Sequence, residues 1–419
     1  MTNTKPVTLA LVGAGLRGTH YARLAVATGN VRIAAVAEPD PVRRERAAAE
    51  FGVPADSSYD GWESLAGVPK VADAVIIATQ DNEHTKPAIR FAELGYHLLL
   101  EKPMAPTEDE ARQIVTAAER AGVMLAVCHV LRYTEQTRII KQLIEGGAVG
   151  QVMNVQHLEP IGWWHFAHSY VRGNWRRAAD SSSMLLAKAC HDLDWLAYVL
   201  GRPAIKVSSF GGLTHFRPEN KPADAAGNCL DCPVENTCPY SAPRLYLGCL
   251  GDTAREHWPL GAVTSTPTRS AVLDALRNGP YGRCAYDCDN DVADQQVVTI
   301  EYEGGTTATV TVVAFSVLGH RKTRIFGTHG SIESDGDTIV THDFVTDARQ
   351  VLPVNPTGAS AADGHGGGDE RLIEAFVAAL VHNDPALILT DARSSLASHQ
   401  LAWAAETSRH HNQVTSLRQ

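Results

Sequence analysis

Six residues near the start of the chain have the types and spacing to bind a phosphate group. They form the turn Gly13-Ala14-Gly15-Leu16-Arg17-Gly18, which follows a short apolar run and leads into a helical stretch. In such a strand–turn–helix unit the first glycine permits the tight turn, the second lets a pyrophosphate approach the backbone, and the third allows close packing. The helix N-terminus adds free N–H groups and a partial positive charge. The turn predicts a dinucleotide site, although an ordinary tight turn would show the same glycines.

Glu38 stands about twenty residues beyond the glycine turn, at the end of a predicted second strand, residues 31–37. A carboxylate there accepts hydrogen bonds from both ribose hydroxyls and repels a 2′-phosphate, so it favours NAD over NADP. Arg43 and Arg44 argue the other way, because a nearby arginine can accommodate that phosphate. We predict NAD as the cofactor.

Three charged or titratable residues on one predicted helix, residues 183–200, have the spacing for proton transfer. His191 is three residues from both Lys188 and Asp194, so the three side chains share a helix face. Histidine titrates near neutral pH and suits a proton taken from a hydroxyl group. The alternative is a histidine that is hydrogen-bonded within the core.

Residues 163–177 are dense in Trp, His, Tyr and Arg, which is unusual in an acidic protein. Aromatic faces stack on sugar C–H surfaces, and arginines hold anionic groups through paired hydrogen bonds. We therefore predict a sugar carrying a sulfonate, carboxylate or phosphate, the alternative being a core or interface stripe with solvated arginines. The predicted substrate contacts are His129, Tyr133, Trp163, Trp164, His165, Arg172, Trp175, Arg176 and Lys188.

The cysteines follow a metal-chelating spacing. Cys229-Leu230-Asp231-Cys232 is followed by Cys238, and a Cys-x-x-Cys pair with a third cysteine suits tetrahedral zinc. The fourth ligand is ambiguous, and we select Cys284. Four thiolates leave no open coordination position, so this zinc ion would be structural; free thiols are the alternative.

The elements that must position these groups fall into two predicted domains. Residues 1–131 alternate strands and helices, which predicts a doubly wound parallel sheet, a Rossmann domain that binds NAD. Ligands of such sheets lie at the carboxyl ends of the strands. The polar residues that follow the strands are therefore the predicted cofactor contacts: Gly13, Gly15, Leu16, Arg17, Gly18, Glu38, Thr79, Asn82, His84, Glu101 and Lys102.

Residues 132–419 predict an α+β domain with an open, mostly antiparallel sheet for substrate binding and oligomerisation. Strands are expected at 205–210, 296–302, 306–314 and 323–327. An irregular insertion at about 215–294 carries six of the eight cysteines. We expect this loop to have too little core of its own, so that a zinc ion would hold it together.

Bulk composition excludes several classes of protein. The chain has 419 residues, 44% of them hydrophobic and 20% charged, and a net charge of −10. This charge argues against generic nucleic-acid or anionic-membrane binding. No apolar run has the length of a membrane span, and the N-terminus has no signal-peptide hydrophobic region, so we predict a cytoplasmic protein. In that compartment eight cysteines favour metal ligands or free thiols over disulfides.

Three motifs in this order resemble the Gfo/Idh/MocA oxidoreductases: the glycine turn, Glu101-Lys102-Pro103 after a short strand, and the helix containing Cys190-His191-Asp192-Leu193-Asp194. The resemblance implies a Rossmann domain, an open-faced sheet domain, a tightly held nicotinamide cofactor and a sugar or polyol bound between the domains. It also implies a homodimer or homotetramer. By the same resemblance, Lys102 lies beside the nicotinamide and the reacting hydroxyl, and His191 is the general acid/base.

One position departs from the family pattern. Typical dehydrogenases of this family have an aspartate four residues before the histidine, whereas this chain has Ala187 there and Lys188 next to it. The usual Asp–His pair is missing, and Lys188 is a candidate catalytic group facing the substrate.

Two kinds of chemistry remain open. Hydride transfer could give net oxidation of the sugar. Alternatively, oxidation at C3, elimination, water addition and hydride return would give redox-neutral glycoside hydrolysis, as in relatives that act on sulfoquinovose glycosides. We favour the glycosidase, with His129, Tyr133 or His165 as a second acid/base. A simple sugar or polyol dehydrogenase and a non-catalytic nucleotide- and sugar-binding protein are the alternatives.

Overall fold

The computed structural model describes residues 6–354 and 365–417. The chain divides into two compact units, each described by itself below. The first unit comprises residues 6–146, Cys190–Arg202 and residues 365–403; the second comprises Gly147–Ala189, Pro203–Val354 and residues 404–417. Residues 1–5 lie outside the described residues; they are part of the N-terminus in which no signal-peptide region is predicted.

The first unit is built on a parallel sheet. The elements in chain order are β1 (Val7–Val12), α1 (Leu16–Ala27), β2 (Val31–Ala37), α2 (Pro41–Phe51), β3 (Ser58–Tyr59), α3 (Trp62–Ala66), β4 (Ala74–Ile77), α4 (Thr85–Glu93), β5 (His97–Leu100), α5 (Glu108–Ala121), β6 (Leu125–Val127) and α6 (Glu135–Glu145). The strand order is β3-β2-β1-β4-β5-β6, and every pair is parallel. This confirms the predicted Rossmann fold.

Both faces of this sheet are buried, as its apolar strands require. On β1, Leu9 and Leu11 pack into one apolar cluster, while Ala10 and Val12 pack into a second cluster on the opposite face. Strand order reverses between β1 and β4, which is the switch point where open α/β sheets bind ligands. The loops after β1, β2, β4 and β5 therefore end at one edge.

The second unit contains a nine-stranded sheet. The next elements are β7 (Val152–Pro160), α7 (Trp163–Phe166), α8 (Met184–Leu200), β8 (Ala204–Gly212), α9 (Ala242–Leu247), α10 (Thr253–His257), α11 (Arg269–Asn278), β9 (Gln295–Tyr302), β10 (Thr307–Val313), β11 (Lys322–Gly327), β12 (Gly330–Ser334), β13 (Thr338–Asp343) and β14 (Ala348–Pro353). The chain then forms α12 (Gly368–His382), α13 (Ala392–His411) and β15 (Thr415–Ser416). The residues of α8 from Cys190 onward, and those of α12 and of α13 up to Trp403, belong to the first unit.

The sheet order is β14-β13-β12-β11-β7-β10-β9-β8-β15. All pairs are antiparallel except β7 with β10, which confirms the predicted mostly antiparallel sheet. Burial alternates along β9 and β10, so that Val298, Ile300, Val310 and Val312 face the core. Strands β12 to β14 were not predicted; β13 has a single buried residue and β14 is almost wholly exposed, so neither shows a clear apolar alternation.

The insertion between β8 and β9 is more ordered than its sequence predicts. Instead of an irregular loop it contains α9, α10 and α11, and it has a small core of its own that includes Tyr246, Leu260 and Val272. Its base is closed by the fully buried Asp294, whose carboxylate accepts hydrogen bonds from the backbone N–H groups of Thr214 (3.0 Å) and His215 (2.7 Å). The expectation of too little core was therefore wrong.

Among the residues that the structure describes, no helix combines the length and the apolar character needed to cross a membrane.

Candidate functional site

The three glycines of the turn have different roles. A Cβ atom on Gly13, whose φ is +87°, would lie 2.5 Å from the Ala78 carbonyl oxygen, and one on Gly18 would lie 2.0 Å from the Gly13 carbonyl oxygen. Both positions are therefore restricted to glycine by backbone packing. A Cβ on Gly15 would meet no atom of the described residues within 4 Å, so these residues leave space above the start of α1. This arrangement fits a pyrophosphate beside Gly15.

Glu38 lies over the glycine turn. It is buried, and its carboxylate accepts hydrogen bonds from the backbone N–H groups of Ala14 (2.7 Å) and Asp40 (3.1 Å). The Arg44 guanidinium, which could have accommodated a 2′-phosphate, donates to the Glu38 and Pro39 carbonyl oxygens at 2.6 and 3.2 Å. These contacts favour NAD over NADP.

Arg17 is at the centre of a charged network that we call the glycine-turn network: Arg17, Tyr21, Glu101 and Asp369. The Arg17 guanidinium donates to Glu101 at 3.0 Å and to both oxygens of Asp369 at 2.7 and 2.9 Å. Tyr21 donates to Glu101 at 2.9 Å. Burial by itself would raise the pKa of Glu101 and of Asp369, but the charge of Arg17 holds both values below the ordinary range. The predicted cofactor residues Arg17 and Glu101 thus bind each other.

Lys102 and the loop after β4 are linked through His84. One His84 ring nitrogen is 2.7 Å from the Pro103 carbonyl oxygen and the other is 3.3 Å from that of Thr79. The Lys102 side chain is half-buried, and its backbone N–H donates to the Glu101 carboxylate. Asn82 is exposed. Lys102 is therefore anchored to the glycine-turn network at the carboxyl end of β5.

His191 lies in a cluster of histidines. Its side chain is buried, and its ring centroid is 5.9 Å from that of His129 and 5.7 Å from that of His365. His365 was not predicted from the sequence, and its Nδ1 is 3.1 Å from Asp369. The first unit therefore contains an Asp–His pair next to His191, although Ala187 occupies the family's aspartate position. The only sequence signal for this pair was the run of glycines at 366–368 before an acidic helix start.

Two predicted substrate residues of the first unit are buried. His129 is fully buried, and burial lowers its pKa to about 3, so it is neutral near physiological pH. The Tyr133 hydroxyl accepts a hydrogen bond from the backbone N–H of Leu389 at 2.9 Å. Asp194 binds Arg132 through two hydrogen bonds of 2.6 and 2.7 Å. The substrate roles of His129 and Tyr133 stay predictions.

In the second unit, Lys188 forms an ion pair with a carboxylate that was not predicted from the sequence. Glu159, near the end of β7, is buried and forms ion pairs with Lys188 Nζ and Arg321 Nε, each at 3.0 Å. The only sequence signal was an acidic residue in an otherwise apolar strand end. Two cations share this one carboxylate, and both are mostly buried.

The aromatic segment, residues 163–177, packs against the insertion. Trp163 is exposed, whereas Trp164 and His165 are half-buried, and Trp258 of the insertion lies 5.2 and 4.8 Å from their ring centroids. The wide π-helical turn Ala167–Arg172 is buried throughout. Arg176 pairs with Asp289 at 3.0 Å, and Trp175 is half-buried. Trp258 is therefore an additional aromatic residue at the exposed end of this segment.

The four predicted zinc ligands lie together. Cys229, Cys232, Cys238 and Cys284 line one cavity of about 20 Å³, whereas Cys249 and Cys288 do not line it. All eight cysteines are free. In the described ranges, no three His, Cys, Asp or Glu side chains form a metal-binding group as they stand. The cavity has the volume for one small ion or water molecule.

Comparison with known families explains the order of these motifs. The sequence profile described as the oxidoreductase family with an NAD-binding Rossmann fold matches residues 7–129, and that of the same family's C-terminal alpha/beta domain matches residues 141–417. The chain belongs to the Gfo/Idh/MocA family of oxidoreductases. The resemblance of the sequence motifs is thereby confirmed, together with the NAD-binding character of the first unit.

Individual relatives are more distant. The Bacillus subtilis protein YteT is 25% identical over 76% of this chain and 74% of its own length. The 2,7-anhydro-N-acetylneuraminate hydratase of Escherichia coli is 28% identical, over 51% of this chain and 55% of the hydratase. An Agrobacterium radiobacter oxidoreductase, solved with NAD+, L-tartaric acid and magnesium, superposes with a TM-score of 0.70 at 18% identity, covering 99% of this chain and 98% of the other. At that identity the structural match shows the fold alone.

Proposed function

We propose that this protein uses NAD to act on a sugar or glycoside by hydride transfer at a ring carbon, C3. The observation that carries the proposal is the anchoring of Lys102 at the carboxyl end of β5, in the same unit as His191 and the His365–Asp369 pair. The cofactor would be held by the glycine turn and Glu38, and when bound it would accept a hydride from the sugar carbon. Lys102 and His191 would then take the hydroxyl proton.

We favour redox-neutral glycoside hydrolysis, in which the hydride returns to the same sugar. Elimination and water addition need more than one acid/base, and His191 has His365 beside it. Asp369 would orient His365 for the second proton transfer, in place of the family's missing aspartate. The Escherichia coli relative supports this choice, because a hydratase adds water rather than oxidising its substrate. Net oxidation by a simple dehydrogenase is the alternative, and the family's oxidoreductases support it.

The proposed substrate carries an anionic group. Support comes from the two cations, Lys188 and Arg321, that share the single carboxylate of Glu159. The Escherichia coli relative is named for a neuraminate, which is an acidic sugar. Trp164, His165 and Trp258 would offer apolar faces to the ring.

A panel of chromogenic glycosides, neutral and bearing a sulfonate, carboxylate or phosphate, tests both proposals. We expect release of the aglycone from an acidic glycoside without accumulation of NADH. Lys102→Ala, His191→Ala and His365→Ala should each lower this rate by about 10²- to 10⁴-fold, while Lys86→Ala, at an exposed lysine of the same unit, should not. NADH formed in proportion to product would establish the dehydrogenase instead. Binding of NAD with no turnover of any sugar would favour the non-catalytic alternative.

We also propose a homodimer or homotetramer that uses the nine-stranded sheet. Large apolar side chains, Met153, Phe210 and Phe326, are exposed on three of its strands. Light scattering on the purified protein should give a multiple of the 45.1 kDa chain mass. Phe210→Asp should reduce that mass; a monomeric wild-type protein would refute the proposal.

A structural zinc ion is the last part of the proposed function. The four thiols that line one cavity support it, and with four thiolate ligands the ion would not take part in the chemistry. Metal analysis should find about one zinc ion per chain in the wild type. Cys232→Ser should lose it, whereas Cys249→Ser and Cys288→Ser should keep it. Equal zinc content in all three variants would contradict this ligand set.

A further inference from the structure

Arg172 is a buried cation with no carboxylate partner among the described residues. Its side chain is 1% exposed, and a guanidinium stays protonated at any physiological pH. Nε donates to the Arg283 carbonyl oxygen and Nη2 to that of Tyr240, each at 2.8 Å, while Nη1 has no hydrogen-bond partner. Over the described part of the chain, no Asp or Glu forms an ion pair with it. A buried charge of this kind is costly unless an anion compensates it.

The group nearest to completing this site is the cysteine cluster. Arg172 Nη2 lies 3.6 Å from Cys229 Sγ, a distance suited to an N–H···S contact. Cys229 lines the same small cavity as Cys232, Cys238 and Cys284. Cysteines ligate zinc as thiolates, so four of them around one Zn²⁺ carry a net charge of about −2. The negative charge of the zinc-bound cluster and the positive charge of Arg172 would then compensate each other.

Arg172 also belongs to the aromatic segment. It ends the buried π-helical turn Ala167–Arg172. Within that turn His168 stacks on Tyr281 of the insertion, with 5.0 Å between ring centroids, and hydrogen-bonds the Tyr246 hydroxyl at 2.8 Å. The cysteine cluster therefore contacts the residue that ends this turn, so a change in the charge of the cluster acts directly on Arg172.

We infer that Arg172 is the charge partner of a tetrathiolate zinc site and that zinc occupancy, through Arg172, holds the aromatic segment in place. The inference rests on the proposed zinc site and is independent of the proposed hydride transfer. Arg172 is a positioning residue: it donates to a ligand sulfur, neutralises part of the site's charge and connects it to residues 163–177. Groups that hydrogen-bond a metal ligand commonly change metal affinity by about 10- to 100-fold.

The experiment compares zinc affinity and tryptophan fluorescence in four full-length proteins. These are the wild type, Arg172→Met, Arg172→Lys and the control Arg177→Met, whose arginine side chain is 44% exposed and pairs with Asp180. Zinc dissociation is followed by competition with a chromogenic chelator under reducing conditions. Arg172→Met should weaken zinc binding by about 10-fold or more, Arg172→Lys should weaken it less because the charge remains, and Arg177→Met should match the wild type.

Fluorescence reports the second half of the inference, since Trp163, Trp164 and Trp175 lie in the aromatic segment. Removing zinc from the wild type should shift the emission to longer wavelength, and in Arg172→Met the shift should be smaller because the link is already broken. Wild-type zinc affinity in Arg172→Met, or an unchanged zinc-dependent shift, would overturn the inference. If Arg172→Met does not fold, Arg172→Lys with wild-type affinity and shift would overturn it.

Failure of the zinc proposal gives a separate outcome. A wild-type protein that contains no zinc, and takes up none from added zinc chloride, would refute both the metal site and the role of Arg172. NAD binding and aglycone release, measured on the same preparation, would still decide the proposed hydride transfer.

Discussion

Two mostly buried arginines, one in each unit, have opposite surroundings. Arg17 of the first unit lies between two carboxylates, Glu101 and Asp369, and its charge is matched within the protein. Arg172 of the second unit contacts two carbonyl oxygens and one sulfur and pairs with no described carboxylate. The charge of Arg17 is thus compensated by carboxylates of its own unit, whereas Arg172 has none among the described residues and would need another anion, which we infer to be the zinc-bound thiolates.

The largest expected effect is on the stability of the glycine-turn network. Arg17→Met would leave the buried Glu101 without its guanidinium partner and Asp369 with only its histidine neighbours, which should cost about 3–5 kcal/mol of unfolding free energy. Arg23→Met is the matched control: its pair with Glu50 is largely exposed, so its loss should cost less than about 1 kcal/mol. Urea denaturation measures both. Equal losses of unfolding free energy in Arg17→Met and Arg23→Met would show that the burial of the Arg17 network adds nothing to stability.

Gly15→Ala should separate cofactor binding from folding. The new methyl group has no neighbour within 4 Å among the described residues and the Gly15 φ of −75° suits alanine, so unfolding free energy should change by less than about 0.5 kcal/mol. NAD affinity should fall by about 10-fold or more if the pyrophosphate approaches at this position. Gly18→Ala should instead lower the melting temperature, since its Cβ would overlap the Gly13 carbonyl oxygen. Wild-type NAD affinity in Gly15→Ala would place the pyrophosphate elsewhere.

The effects of zinc removal and of arginine removal on stability should depend on each other at Arg172 but not at Arg17. For Arg172→Met, the loss of stability should be greater by about 1–2 kcal/mol in the zinc-loaded protein than in the zinc-free one, because neighbouring groups couple. For Arg17→Met the loss should be the same in both. Denaturation curves with zinc and with chelator measure these losses. If Arg172→Met loses the same stability with and without zinc, Arg172 does not differ from Arg17 in this respect.

The last expected effect, which is small near neutral pH, is a pH dependence in the second unit. Burial, and then the charge of Arg172, lowers the pKa of His168 to about 3, below its ordinary value near 6.5. The unfolded chain therefore binds this proton first, so stability is complete above about pH 6.5 and falls towards pH 3 by at most about 1.4 kcal/mol per pH unit. His168→Phe should flatten this slope and His257→Phe, at an exposed position, should not. Tryptophan fluorescence during urea denaturation at several pH values provides the measurement.

Much of the first unit was predictable from the sequence, because its signals are local. The apolar runs of β1, β4 and β5 are typical of buried parallel strands, and at the start of α5 the Thr107 side chain accepts from the Glu110 N–H, which is a local capping contact. The glycine turn and Glu38 were found for the same reason. The charged partners were not: Arg17 binds Asp369, 352 residues away, and no periodicity connects them.

Predictions for the second unit were less complete. The sheet order was not predictable. The helices and the core of the insertion were missed because its apolar residues are spread over turns that interrupt every periodic pattern. The four cysteines were selected by spacing and do line one cavity, while their role as zinc ligands stays a prediction. The cytoplasmic location likewise stays a prediction.

The sequence alone determined the Rossmann fold, the family and the cofactor-binding turn, since each depends on short motifs or on strand–helix patterns that can be recognised locally. Tertiary structure decided which of these groups meet: Asp369 with Arg17 and His365, Glu159 with Lys188 and Arg321, and Arg172 with the Cys229 sulfur. The physical reason is that local backbone preferences act over a few residues, whereas the energy of a buried charge depends on partners that only folding brings within about 4 Å.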